Sequence, residues 1–94
     1  MSYIRYYVMQ SKPGDMAQLN KALVALKAAV AVQPGLLSVN MYKDLEDAEK
    51  VHFVEHWDGK ESHDKGAKAL PDAVVSPMGA LMGAPPVRYT LSEI

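Results

Sequence analysis

The sequence contains no cysteine, and its charges nearly cancel at a formal net charge of −1. Without cysteine the chain cannot form a disulfide, a thiolate zinc site or a cysteine nucleophile. The near-neutral balance, with Lys and Arg scattered along the chain, predicts neither a nucleic-acid partner nor a membrane partner. No apolar run reaches the roughly 20 residues of a membrane-spanning helix, and the N-terminus lacks the pattern of a signal peptide. We therefore expect a cytoplasmic protein.

Aromatic residues are also scarce, at 7% of the 94 residues, and the rarest of them lie close together. The only tryptophan, the only phenylalanine and all three histidines fall between Val51 and Asp64. We expect any chemistry of this chain to involve Trp57 and its neighbours. A chain of this length buries only about 60–65% of its unfolded surface. We therefore predict a single domain over residues 1–94 with a thin core that a partner would help to stabilise.

The spacing of apolar residues predicts an alternation of strands and helices. Strands are expected over residues 3–10, 36–43, 50–58 and 87–92, and helices over residues 60–69 and 72–81. A longer helix should start at Asp15, where Gln18 completes the spacing of a capping box, and end before Pro34. The order β-α-β-β-α-β predicts an α+β, ferredoxin-like fold, a four-stranded antiparallel sheet with its helices on one face.

Alternation within the predicted strands places apolar residues on both faces of this sheet. In the first strand, Ile4, Tyr6 and Val8 share one face, and Tyr7 and Met9 lie on the other. Helices cover only one face, so the other would expose an apolar patch too large for a stable monomer. We expect two sheets to pack face to face in a symmetric homodimer.

Residues 34–61 contain a longer pattern, PGLLSVNMYKDLEDAEKVHFVEHWDGKE. It consists of a Pro-Gly pair at the second strand, Tyr42 near that strand's end, a short acidic connection, and a Glu-x-Trp sequence that ends at Trp57. This segment resembles the central signature of antibiotic biosynthesis monooxygenase domains, and the order and length of the elements match over all 94 residues. The resemblance implies a dimeric α+β barrel with a cavity between helices and sheet in each subunit.

Known members of that family include cofactor-free oxygenases of anthrones and quinols as well as haem-degrading enzymes, so the fold does not settle the function. In anthrone-oxidising members, Asn precedes the tryptophan by four positions and Tyr follows it by six; Phe53 and His63 occupy these positions here. The quinol-type pattern has a histidine where this chain has Gly66. The Asn, Trp and His of haem-degrading members would fall on Tyr7, Gly66 and Ser76, so haem degradation is not expected.

The resemblance implies a monooxygenase without cofactor or metal that oxidises a small phenolic, quinol or enolisable aromatic substrate with O2. Such a reaction requires proton removal and stabilisation of a developing oxyanion in an apolar cavity. His63 is the predicted proton-transfer residue, because imidazole exchanges a proton near neutral pH, although it could be a surface histidine without a role. Trp57 is predicted to position the substrate by stacking or by donating its indole N–H, unless it is only a core anchor.

Five further residues are predicted to contact the substrate: Tyr7, Phe53, Glu55, Met78 and Met82. If Glu55 is buried beside Trp57 it needs a partner, such as Arg5 or a histidine, and we favour such a structural pair over a catalytic base. The methionines have flexible thioethers that suit a flat apolar ligand. His52 and His56 point to the other face of the strand, about 13 Å apart, too far to bind one metal.

Two other functions stay open at the level of the sequence. The same cavity could belong to a cofactor-free isomerase or lyase, which would turn over without O2. It could also belong to a non-catalytic small-molecule-binding or stress-related barrel, which a cavity filled by its own side chains would favour.

Overall fold

The computed structural model of the protein describes residues 2–94, in which four strands and four helices form one sheet with a helical layer. The elements are β1 (Tyr3–Gln10), α1 (Met16–Ala31), β2 (Leu36–Lys43), β3 (Lys50–Trp57), α2 (Lys60–Ala69), α3 (Asp72–Val75), α4 (Pro77–Leu81) and β4 (Val87–Leu91). The strands follow the order β2-β3-β1-β4 and all pair antiparallel. The predicted ferredoxin-like α+β fold is therefore confirmed.

Two local predictions were wrong. The expected helix over residues 72–81 is divided into α3 and α4, because Pro77 has no N–H to continue the hydrogen bonds of the first helix and instead begins the second. Asp15 lies at the N-cap of α1, but its side chain makes no capping bond. Its backbone, at φ −103° and ψ 6°, lies outside the extended region from which an N-cap side chain reaches back to the helix.

The core lies between α1 and the central strands. Helix α1 contributes Leu19, Leu23 and Val30, all fully or nearly fully buried. On β3 every second residue from Val51 to Trp57 is buried, so the predicted alternation of that strand is confirmed. Because β3 pairs with β1 in a register that places Phe53 opposite Tyr7, both strands direct large side chains toward the helices from the same level of the sheet.

The sheet face without helices carries the apolar side chains that the alternation predicted. Tyr6 and Tyr89 contact each other edge to face with ring centroids 5.7 Å apart, and Tyr89 and Val87 each remain about half exposed. Val54 pairs with Tyr6 near the centre of this face. Within residues 2–94, no helix combines the length and the hydropathy that crossing a bilayer would require.

Candidate functional site

A cavity of about 220 Å³ lies between the helices and the sheet. Strands β1 and β3 supply one wall, and the α4 region and the residues after it supply the opposite wall. The cavity lining includes all five side chains that the sequence predicted to contact a substrate: Tyr7, Phe53, Glu55, Met78 and Met82. Most of the remaining lining is aliphatic, which leaves a few polar groups to orient a bound molecule.

A smaller recess of about 50 Å³ contains the two residues predicted to be catalytic, Trp57 and His63. Tyr7, Glu55 and Leu70 line both the recess and the larger cavity, so the two spaces meet at these side chains. The structure therefore brings all seven predicted residues to one region, but it places Trp57 and His63 beside the larger cavity rather than in its lining.

Trp57 is only 2% exposed, and both its ring and its N–H are engaged by the protein. Its indole N–H donates a hydrogen bond of 2.9 Å to Oε1 of Glu55, so it does not point at a substrate, and that part of the predicted role is wrong. The far edge of the ring lies against Gly66, where an added Cβ would stand 2.5 Å from it. The ring thus occupies the space that a side chain at position 66 would need. Trp57 therefore forms a wall of the recess and fixes the orientation of Glu55 through this hydrogen bond.

Glu55 is 6% exposed, and its predicted partners were wrong. Arg5 instead donates to the hydroxyl groups of Thr90, at 2.6 Å, and Tyr7, at 3.4 Å, which leaves Trp57 as the hydrogen-bond partner of the carboxylate. Burial raises the pKa of Glu55 above its ordinary value. The bond from Trp57 and the neighbouring His63 and Arg5 side chains lower that pKa, but they do not offset the burial.

His63 begins the second turn of α2, and its side chain is 12% exposed. The ring lies 5.6 Å from the Trp57 ring in an edge-to-face contact and 5.5 Å from Tyr3. Nδ1 lies 3.0 Å from Oδ1 of Asp64, which fixes the ring orientation and leaves Nε2 as the nitrogen without a partner among residues 2–94. His63 is thus a packed, oriented side chain rather than a freely exposed surface histidine.

Two polar features were missed at the level of the sequence. Arg88 of β4 lines the larger cavity beside Tyr7, its partner in the β1–β4 register. Alternation along β4 would have indicated this face, but the prediction assigned no faces to that strand. On the opposite side of the sheet, His52 lies between the Tyr6 hydroxyl, 2.5 Å from Nδ1, and Asp44, 2.9 Å from Nε2. The bond to His52 lowers the pKa of Asp44.

Replacing Trp57 with phenylalanine should raise the pKa of Glu55 further. The indole N–H bond stabilises the charged carboxylate in the wild type, and phenylalanine cannot donate it. The measurement is a pH titration of glutamate side-chain carboxyl carbons by NMR in both proteins. Glu61, an exposed residue of α2 far from the substitution in its contacts, provides an internal control whose carboxyl signal should be the same in both proteins. A Glu55 titration that stays the same or moves down would contradict the hydrogen bond between these side chains in solution.

The sequence model of the family described as Antibiotic biosynthesis monooxygenase matches residues 2–66, which include β1 to most of α2 and the Glu-x-Trp sequence. A candidate antibiotic biosynthesis monooxygenase from Chloroflexus aurantiacus J-10-fl superposes with a TM-score of 0.85 at 24% identity, covering 100% of this chain and 94% of that one. SnoaB, a cofactor-independent oxygenase from Streptomyces nogalater solved as a mutant, gives a TM-score of 0.85 at 12% identity, with 98% and 92% coverage. A protein from Mycobacterium tuberculosis superposes with a TM-score of 0.88 at 14% identity, covering 100% of this chain and 96% of that one. At these identities the structures establish a shared fold. A comparison with curated proteins finds no match.

Proposed function

We propose that this chain, which belongs to the antibiotic biosynthesis monooxygenase family, oxidises a small phenolic, quinol or enolisable aromatic molecule with O2 and without a cofactor. The observation that carries the proposal is the cavity of about 220 Å³, apolar along most of its wall and polar where Glu55, Tyr7 and Arg88 meet. The likeness of the fold to SnoaB, a cofactor-independent oxygenase, supports the reaction class.

The size of the cavity supports a small substrate. Sites for drug-sized ligands usually enclose roughly 300–1,000 Å³, and this cavity is smaller. Phe53 and Tyr7 offer aromatic surfaces for an aromatic ring, while Met78 and Met82 can adapt to its outline. We therefore favour a single substituted ring over a fused polycyclic substrate.

The reaction requires a substrate that can become electron-rich by losing a proton. For an enolisable CH2 group, the proton leaves and the resulting carbanion forms a C–O bond with O2. The peroxide anion then takes up a proton, and loss of water leaves a carbonyl, so that CH2 and O2 become C=O and H2O. His63 is the proposed group that exchanges protons during these steps. Trp57, in the neighbouring recess, fixes the orientation of Glu55 where the recess meets the cavity.

Turnover of a panel of single-ring hydroquinones under air, with anthrones as the fused-ring comparison, tests this function. His63→Gln should lower the rate by about 10²-fold, the usual contribution of a positioned acid or base. His56→Gln, a matched change on the sheet face turned away from the cavity, should leave the rate unchanged. Equal rates in all three proteins would remove His63 from the mechanism, and turnover that persists without O2 would favour an isomerase or lyase. Failure of the whole panel to bind would favour a non-catalytic module.

We also propose that the protein works as a homodimer in which the two helix-free sheet faces pack together. Tyr6, Val54, Val87 and Tyr89 contribute large apolar surface to that face, and the helices of their own chain do not cover it. A second copy would bury this surface by the hydrophobic effect and would leave the cavities on the outer sides of the two sheets.

A further inference from the structure

We propose that Glu55 takes the acidic proton of the substrate, on the carboxylate oxygen that its bond to Trp57 leaves free. This inference rests on the proposed oxygenase function and deepens it, because it assigns the first proton transfer and the form in which the substrate binds. His63, in the neighbouring recess, is then left to exchange protons in the later steps.

The geometry of the carboxylate supports this role. Trp57 donates to Oε1 at 2.9 Å and so fixes the orientation of the whole group. Oε2 has no hydrogen-bond partner among residues 2–94, yet it is not sealed inside the protein: within those residues, Ser11 Oγ is the one fully buried side-chain polar atom without a partner. Because Glu55 lines both the cavity and the recess, Oε2 is accessible to a ligand placed in that space.

The surroundings make this carboxylate a stronger base than an exposed glutamate. Burial raises the pKa of Glu55, so the ionised form holds a captured proton more tightly than usual. The titratable and charged side chains around it are Arg5 and Tyr7 on β1, His63 on α2 and Arg88 on β4. The side chains that α1, α3 and α4 direct into the same space are apolar.

A proton that moves from a substrate hydroxyl to Oε2 leaves the total charge of the buried site unchanged. The negative charge passes from Glu55 to the substrate. Arg5 on β1 and Arg88 on β4 supply positive charge on the same side of the sheet. The site should therefore accept the neutral, protonated substrate and disfavour one that is already ionised, since two anions would then share a poorly solvated space. We infer that the substrate class is neutral phenols and enols rather than carboxylates or phenolates.

The Glu55→Gln variant separates the proposed proton transfer from a purely structural role of Glu55. Glutamine keeps a side-chain oxygen that can accept from Trp57, so the Glu55→Gln protein should fold, and it lacks the buried charge. The folded-state pKa of Glu55 lies above its unfolded value, so its favourable contribution to stability exists at low pH and is lost as pH rises through the folded pKa. Relative to the wild type, Glu55→Gln should gain stability over that same rise in pH.

Binding of 4-nitrophenol tests the contact without requiring turnover. The neutral and ionised forms of 4-nitrophenol absorb at different wavelengths. The affinity of each form can therefore be measured as the pH passes through the pKa of the ligand. The wild type should bind the neutral form at least about 10-fold more tightly than the phenolate, as expected for a ligand oxygen beside a carboxylate. Glu55→Gln should lose this preference, while Glu61→Gln, an exposed matched control on α2, should keep it.

Turnover of the best substrate from the panel tests the chemical role. Glu55→Gln should lower the rate by about 10²- to 10⁴-fold, and Glu55→Asp should restore part of it, because the shorter side chain keeps the base. Thermal unfolding across the pH range accompanies these measurements. A Glu55→Gln protein that is unfolded at neutral pH would overturn the proposal and assign Glu55 a structural role.

The outcomes separate this inference from the proposed function. If the wild type turns over and Glu55→Gln matches it in rate and in phenol preference, the role of Glu55 is overturned and the oxygenase function stands. If the phenol preference depends on Glu55 but no substrate reacts with O2, the oxygenase function fails and Glu55 remains a proton acceptor toward bound phenols. A wild type that neither binds nitrophenol nor turns over contradicts both.

Discussion

Gly35→Ala is expected to lower the free energy of unfolding by about 3 kcal/mol, a large share of the stability of a domain of this size. Gly35 lies at the entry to β2 with φ +86°, a backbone conformation that costs an L-residue about 1–2 kcal/mol. An added Cβ would also stand 2.4 Å from Cβ of Ser62, a clash that rotation of the serine hydroxyl cannot relieve. The carbonyl of Gly35 accepts a hydrogen bond of 2.8 Å from the N–H of Asp58, so the backbone at Gly35 is held in place.

Three other glycines separate the two causes of this destabilisation. Gly14 has φ +82° with open space around it, so alanine there should cost only the backbone term. Gly66 has no positive φ but faces the edge of Trp57, so alanine there should cost only the clash, offset in part by better helix propensity. Gly79 lies in α4 with open space and should tolerate alanine.

Chemical denaturation of the wild type and the four variants, at the same pH and temperature, measures the free energy of unfolding of each protein. The expected order of destabilisation is Gly35→Ala first, then Gly66→Ala and Gly14→Ala, with Gly79→Ala near the wild type. A Gly35→Ala protein as stable as Gly14→Ala would show that the contact between the β2 entry and α2 is not close in solution. Because that contact places the start of α2, it would also remove one support for the position of His63.

Val54→Asp is expected to weaken the proposed dimer by about 10³-fold, and it should leave the fold of each subunit intact. Val54 lies near the centre of the helix-free face, opposite Tyr6 on β1 and Asn40 on β2. In a face-to-face dimer each copy would bury a carboxylate without a positive partner, and the two-fold symmetry would apply that penalty twice. In a monomer the same carboxylate would face water at little cost.

Sedimentation velocity over a range of protein concentrations measures this effect. Val24→Asp, the same substitution on a 59% exposed position of α1, is the matched control and should leave the assembly unchanged. A wild-type protein that sediments as a monomer at micromolar concentration would contradict the homodimer. Val54→Asp sedimenting like the wild type would show that another surface joins the copies.

The sequence by itself determined most of the helices and strands, the placement of the helices on one face of the sheet, and the family. These depend on short-range regularities: Val51, Phe53 and Trp57 alternate on one strand, and Leu19 and Leu23 recur at helical spacing, so each element reveals its buried face. The family pattern depends on the same local spacing, which explains why residues 34–61 sufficed to recognise it. The sequence also identified five side chains that line the cavity, because they lie on faces that the periodicity identified or on the methionine-containing segment that covers them.

Only the tertiary structure decided which groups meet within the site. The partner of Glu55 is Trp57, two residues away on its own strand, whereas a charge-based prediction had chosen Arg5 or a histidine. Arg5 is directed elsewhere because β4 brings Thr90 within 2.6 Å of it, a neighbour 85 positions away along the chain. The division between cavity and recess, and the free oxygen of Glu55 at their junction, follow from the same long-range packing. Periodicity identifies the face on which a side chain lies, but its hydrogen-bond partner depends on distances that are set when distant strands pair.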